Sequence, residues 1–219
     1  MNKRILAIGG HVIKTARLDL EKVIKRGNVE MLIHNGGSIF HDFQLSTDLL
    51  LNSIGNHSYS LDKLIENPGI NRPTSLVLWS WIEGKEEAPD GSITKLCESL
   101  SIPVLLFTSL GCDFWHLFKG EEYWAQLAKR MYVDFDILRT RLKYPFHYVC
   151  MGSAVIHPEV FTKAISGIQK PKFRADVVDF LDMYRPRTRV AKYGEYYKVT
   201  HKEYLQKLLK EVGDEDGEG

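Results

Sequence analysis

No stretch of the 219-residue sequence approaches the ~20 consecutive apolar residues that span a bilayer. The run Ile5 to Ile8, behind Met1-Asn2-Lys3-Arg4, stops at Gly9-Gly10 and is too short for a secretory leader. Neither sign of charge is in excess, with 29 Lys and Arg against 28 Asp and Glu. No overall field therefore argues for nucleic acid or an anionic membrane. Cysteine is scarce: Cys97, Cys112 and Cys150 form no CxxC pair, which excludes a zinc knuckle and fits a reducing compartment. Three catalytic or phosphate fingerprints are also missing, G-x-G-x-x-G, the Walker loop and the G-x-S-x-G elbow. These absences leave the expectation of a soluble, cytoplasmic globular protein, long enough to bury a proper core.

What is present is a series of short apolar runs that end in glycine or polar clusters. The stretch Val29 to Phe43, VEMLIHNGGSIFHDF, sets the pattern: a strand over Asn28 to His34, then the break Asn35-Gly36-Gly37-Ser38. Strands are also expected at Arg4 to Ile8, Pro103 to Leu110, His147 to Met151 and Ala175 to Asp182, with an extended piece at Arg189 to Lys192. His11 to Thr15 reads as a loop, and a helix follows from about Ala16 to Arg26, ended by Gly27. Ser46 or Thr47 caps a short helix through Leu51 to Ile54, and another turn or two covers Leu61 to Ile65. Further helices are expected over Leu76 to Ile82, after an Asp90 cap, over Glu122 to Leu142, and over Pro158 to Ile165. A capping box, Thr200-x-x-Glu203, opens the last helix. Residues 1–212 read as a single Rossmann-like α/β domain, a mostly parallel sheet with helices on both faces, and 213–219 as an acidic, disordered tail.

Four strand ends, Gly9-Gly10, Asn35-Gly36-Gly37, Gly111-Cys112-Asp113 and Gly152-Ser153, share one edge if the sheet is parallel, and ligands sit at that edge. Asn35, Gly36, Gly37 and Ser38 suit a pyrophosphate or ribose, because glycine lets the backbone approach and exposed N–H groups bind anions. Gly9, Gly10, His11, Gly111, Gly152, Ser153 and Arg185 are candidates for the same ligand, with His11 as a donor to a ligand oxygen and Arg185 as an anion clamp. His41 and Asp42 offer an acid/base pair; being adjacent, one can face the ligand while the other holds a loop. Asp113 and His116 repeat the pairing on another turn, and Lys14 is an electrostatic or covalent helper. The spacing of these groups matches no standard zinc pattern, so no metal is expected.

The segments GGHVIKT (Gly9 to Thr15), HNGGSIFHDF (His34 to Phe43), SLGCDFWH (Ser109 to His116), MGSAVIHPEVFTKA (Met151 to Ala164) and DMYRPRTRV (Asp182 to Val190), in this order, resemble a bacterial group related to deoxyhypusine synthase. The resemblance implies the deoxyhypusine-synthase-like NAD/FAD-binding fold, NAD or a related nucleotide as cofactor, and a homo-oligomer. The nucleophilic lysine segment G-x-P-K of deoxyhypusine synthase has no counterpart here, since Pro171-Lys172 lacks the glycines. The expectation is therefore redox-linked or group-transfer chemistry on a small molecule, and not lysine-nucleophile deoxyhypusine synthesis. Nucleotide N-glycosyl hydrolysis or transfer and a non-catalytic nucleotide sensor are the alternatives.

Overall fold

The computed structural model describes residues 3–47, 74–114, 118, 120–168 and 172–213. Six parallel strands form one sheet: β1 (Arg4–Ile8), β2 (Val29–His34), β3 (Val104–Leu106), β4 (Phe146–Met151), β5 (Phe173–Val178) and β6 (Tyr196–Tyr197). Their order is β3-β2-β1-β4-β5-β6, so the chain changes direction across the sheet between β1 and β4. In an open α/β sheet that is the topological switch point, and ligands bind in the crevice outside the carboxyl ends there. All four glycine or polar strand ends expected from sequence fall on this carboxyl edge.

Helices cover both faces. On one, Leu6, Ile8, Leu32 and Met151 pack against α1 (Gly10–Lys25), α4 (Ile93–Ser99) and α8 (His201–Gly213). On the other, Ile5, Ala7, Tyr148, Cys150 and Val177 meet α5 (Glu121–Arg141) and α6 (Ile156–Ile165). The alternation of faces along each strand follows from the period of two, and burial on both sides explains why β1 reads as a continuous apolar run. A third cluster joins α2 (Gly36–Thr47) and α3 (Thr74–Ile82) to Leu106, Phe114, Phe118 and Leu127. A short helix, α7 (Tyr184–Arg189), and a 3-10 turn (Ala191–Tyr193) link β5 to β6. Strand β3 forms one edge of the sheet; Asp134 of α5 accepts from its Leu106 N–H at 2.8 Å, and Arg130 reaches its Val104 carbonyl at 3.3 Å.

Several boundaries differ from expectation for identifiable reasons. Helix α1 begins at Gly10, not Ala16, because the buried stripe runs back through Val12 and Ile13; a kink at Ala16 (φ −138°) marks where the sequence reading began it. Asn35 to Ser38 is not an open turn. Asn35 caps α2, its Oδ1 accepting from Ser38 N–H at 2.8 Å while Ser38 Oγ accepts from Asn35 N–H at 2.9 Å. His41 and Asp42 are thus helical, and Ser46 and Thr47 lie in the last described turn of that helix, their hydroxyls donating to the Asp42 and Phe43 carbonyls; the helix they were expected to cap lies outside the described residues. Helix α4 is capped by Ser92 and not Asp90, with Ser92 Oγ accepting from Lys95 N–H. Strand β3 is shorter than Pro103 to Leu110, β5 ends at Val178, and Arg189 to Lys192 is helical or 3-10 in place of extended. Helix α6 starts two residues ahead of Pro158. The helices expected at 51–54 and 61–65, and the tail from 214, lie outside the described residues.

Candidate functional site

Glycine knits the strand ends together. A Cβ on Gly9 would overlap the carbonyl of Gly152, one on Gly10 would sit 2.9 Å from His41 Cδ2, and one on Gly37 would sit 2.6 Å from Asp113 Oδ2. Gly36 is as tightly placed, 2.7 Å from Cys112 Cβ. The ends of β1, β2, β3 and β4 approach one another closely enough that side chains on the neighbouring turns converge. Gly111 (φ +81°) is different: it is an exposed bend with nothing near it.

Helix α1 starts at the switch point. Gly9 is its N-cap in extended geometry, no side chain among the described residues caps it, and no acidic residue occupies its first turn. A 16-residue helix opening this way presents backbone N–H groups and the positive end of its dipole to the crevice. Helix α2 differs, because Asn35 and Ser38 already consume its first donors.

On the β2–β3 side of α1, three of the expected catalytic residues come together. His41 Nε2 is 3.5 Å from Asp113 Oδ2, and His41 Nδ1 is 3.3 Å from Gln44 Oε1. His41 is buried, whereas the Asp113 side chain is 52% exposed to solvent. Burial, with the Lys14 charge beside it, pulls the His41 imidazole down to about 4, so it is neutral near pH 7. Lys14 is held below the usual lysine range by desolvation, with Asp113 acting the other way. The arrangement is a neutral base, a solvent-connected carboxylate and a partly desolvated amine, which together can move a proton and steady an anion.

Asp42 stands apart from that group. Its carboxylate is fully buried and accepts from Ile93 N–H (2.8 Å), Thr94 N–H (2.9 Å) and Thr94 Oγ–H (2.7 Å), so it caps α4. Desolvation raises its pKa, and Arg17 at 4.0 Å offsets part of that. Of the adjacent pair, His41 faces the edge and Asp42 holds the neighbouring helix. His116 lies outside the described residues. Ser153 Oγ accepts from His157 N–H at the start of α6, and Arg185 pairs with Glu159 at 3.6 Å, beyond the end of β5.

On the β4–β5 side of α1 is a second group that sequence reasoning found only in part. His11 Nδ1 lies 3.3 Å from Nδ1 of His201, and the Phe180 ring packs 5.1 Å from the His11 ring. His201 is buried and opens α8; Gly152 (φ +63°) leaves room for its Cε1. The capping box at Thr200 placed His201 in a first helical turn. No local signal told which strand end it would meet.

No protein-family model matches the chain, and no curated protein matches it by sequence. Solved structures do. AgrE in its unliganded form aligns with a TM-score of 0.63 at 13% identity, covering 97% of this chain and 30% of that one. A putative LOR/SDH protein from Methanococcus maripaludis S2 aligns at 0.59 and 16%, covering 98% and 62%. ArgZ, an arginine dihydrolase from the ornithine–ammonia cycle in Cyanobacteria, aligns at 0.57 and 13%, covering 97% and 30%. AgrE has also been solved as a ternary complex with ornithine and NAD+. The chain thus spans 30% of the AgrE and ArgZ chains and 62% of the LOR/SDH chain. At these identities the likeness speaks for the fold, and the fold is the Rossmann-like α/β arrangement that these enzymes contain.

Proposed function

We propose that the chain is a nucleotide-binding enzyme module that holds NAD or a related dinucleotide at the end of β1, with Lys14, His41 and Asp113 serving proton transfer to a small molecule beside it. The observation that carries this reading is the start of α1 at the β1–β4 switch point, where, among the described residues, no side chain caps the helix. Backbone groups of Gly9, Gly10 and His11 would hold the pyrophosphate, since a helix N-terminus with no acidic neighbour favours an anion. The AgrE complex with NAD+ shows that one neighbour of this fold takes that cofactor. The resemblance to the deoxyhypusine synthase group supports the same frame.

The fit has one departure with a consequence. Dinucleotide sites of this kind carry an acid near the end of β2 that selects the ribose 2′-hydroxyl. Here that place is held by Asn35, whose Oδ1 is taken by Ser38 N–H. Discrimination between NAD and its 2′-phosphorylated form is therefore expected to be weak. When bound, the nicotinamide would supply hydride chemistry. Around it His41 accepts a proton through Nε2, Asp113 passes protons to water, and Lys14 steadies developing negative charge or, once deprotonated, attacks a carbonyl. Protein-lysine modification is not part of the reading, because the nucleophilic lysine segment is missing.

The test is a thermal-shift and calorimetric panel of NAD+, NADH, NADP+ and ADP-ribose. Binding of all four within about tenfold of one another is expected, together with stabilisation of the fold. His41→Gln and Asp113→Asn should keep that binding and lower turnover by about 10²-fold or more. No stabilisation by any of the four would overturn the proposal. Release of free nicotinamide without hydride transfer would favour N-glycosyl chemistry, and binding without turnover a sensor.

A further inference from the structure

Helix α5 buries Leu127, Asp134 and Leu138 against the rest of the domain and turns its opposite side to solvent. On that side Tyr132 is 77% exposed, Val133 49% and Ile137 41%. Residues seven apart in a helix lie nearly in line, two turns on. Here that spacing picks out Glu122, Lys129 and Asp136, continued by Lys143 just beyond the C-cap Leu142, and each of them is exposed. Tyr132 stands on one flank of this row, and Val133 and Ile137 on the other. The small side chains Ala125 and Thr140 complete the face. Among the described residues the ion pairs of α5 are Arg130 with Asp134 and Arg141 with Glu30, and Lys129 and Asp136 take part in neither.

The charges along the row run minus, plus, minus, plus from Glu122 to Lys143. Turned end for end, the same row reads plus, minus, plus, minus. A copy of the helix lying antiparallel therefore meets an opposite charge at every place, whereas a parallel copy meets like charge. We propose that the outer face of α5 is a self-association surface, on which a second copy of this chain docks its own α5 antiparallel about a two-fold axis between Tyr132 and Val133. A two-fold contact uses the same patch on both copies, so the patch has to complement itself. In this register Lys129 faces the partner's Asp136, and Glu122 faces the partner's Lys143. Ala125 faces the partner's Thr140, and two side chains of that size let the backbones come close. Tyr132 meets the partner's Tyr132 on one flank, and Val133 meets the partner's Val133 on the other.

The occupant follows from the charge pattern. A wholly acidic or wholly basic partner would oppose like charge along half of the row, and the reversed row opposes it nowhere. Surface ion pairs add little stability one by one, so burial of Tyr132, Val133 and Ile137 supplies the attraction and the charges fix direction and register. Antiparallel helices also set the positive end of one dipole beside the negative end of the other. A single helix seam buries less than the interface of an obligate dimer, so the association is expected to be reversible and concentration-dependent. None of these residues belongs to the candidate site, and the pairing does not depend on a bound nucleotide.

The test is sedimentation velocity of the full chain over a wide concentration range, with charge reversals at the two central positions. The unmodified chain should pass from monomer to dimer as concentration rises. Lys129→Glu and Asp136→Lys should each raise the dissociation constant by about 10²-fold, because each sets like charges together at both symmetry-related contacts. The double variant restores opposite charges and should return to within about tenfold of the unmodified chain. It carries both substitutions, so its recovery separates a lost contact from a damaged fold. Val133→Glu should abolish the dimer without changing the thermal midpoint of the dilute monomer. A chain that stays monomeric throughout would overturn the proposal. So would an assembly of any size that both single reversals leave unchanged, or a double variant as weak as the singles.

Discussion

Gly9 and Gly152 meet backbone to backbone where β1 and β4 end, and a Cβ on Gly9 would stand 2.6 Å from the carbonyl carbon of Gly152. The obstacle is main chain in the middle of the sheet, which cannot rotate aside as a side-chain tip can. Gly9→Ala is expected to destabilise the fold by about 3 kcal/mol, in the range of overpacked cores. Gly27→Ala, at φ +72° with nothing near it, should cost only about 1 kcal/mol of backbone strain. Urea unfolding of the two variants checks the order, and equal midpoints would contradict the contact.

Asp42 and Asp113 should separate structure from chemistry. Asp42→Ala removes the acceptor for Ile93 N–H, Thr94 N–H and Thr94 Oγ–H, leaving buried donors unmet. A loss of about 3 kcal/mol is expected, with nucleotide affinity changed less than twofold. Asp113→Asn, on a half-exposed side chain, should leave stability within about 0.5 kcal/mol. Thermal unfolding and ligand titration of both variants give the comparison.

Acid should unfold the protein through its buried histidines. Burial holds His34 down to about 3, and His41, His157 and His201 to about 4, below the ordinary 6.5. The unfolded chain binds more protons than the folded one between those values. Stability from these groups is therefore complete above pH 6.5 and falls as pH drops towards 4. For His157, fully buried, the loss is on the order of 3 kcal/mol across that window. Asp42 and Asp134, whose carboxyls burial raises, oppose this more weakly in number. Urea midpoints should fall steadily from pH 7 to pH 4.5, and His157→Phe should flatten the slope; a level profile would refute the buried neutral state.

The start of α8 depends on a reciprocal cap. Glu203 accepts from Thr200 N–H at 2.8 Å, and Thr200 Oγ accepts from Glu203 N–H at 3.2 Å. Thr200→Ala should cost about 1 kcal/mol. Glu203→Ala should cost less, because the Thr200 hydroxyl still meets the backbone. The double variant should fall short of the sum, since the two side chains also share a 2.7 Å hydrogen bond.

The sheet was readable because β1, β2 and β4 are apolar runs that stop at glycine or asparagine. Parallel pairing then follows from the helical segments between them. The helix starts were not readable at Gly10 and Gly36, because glycine signals a turn in isolation and only tertiary crowding shows that it is needed for close approach. Strand β6 has two residues and no pattern of its own. His41, Asp113 and Lys14 were legible as candidate groups near strand ends, and the fold brings them together. Asp42 carried the same local signal, and its diversion to α4 depends on a helix 51 residues further on. His201 was hidden for a similar reason: only the packing of the last helix on the first brings it to the crevice.

Along the outer side of β3, Arg130, Asp134 and Met131 of α5 occupy the Val104 carbonyl, the Leu106 N–H and the Thr108 N–H. The inward groups already pair with β2, as the bonds from Leu32 N–H to Pro103 and from Phe107 N–H to His34 show. An unpaired row of such groups is what lets one sheet recruit a strand from another chain. Here an incoming strand would have to displace an ion pair and a helix turn before making its first bond. Helix α5 therefore shields the β3 edge against edge-to-edge aggregation, a protection that concentrated refolding of Asp134→Ala would remove.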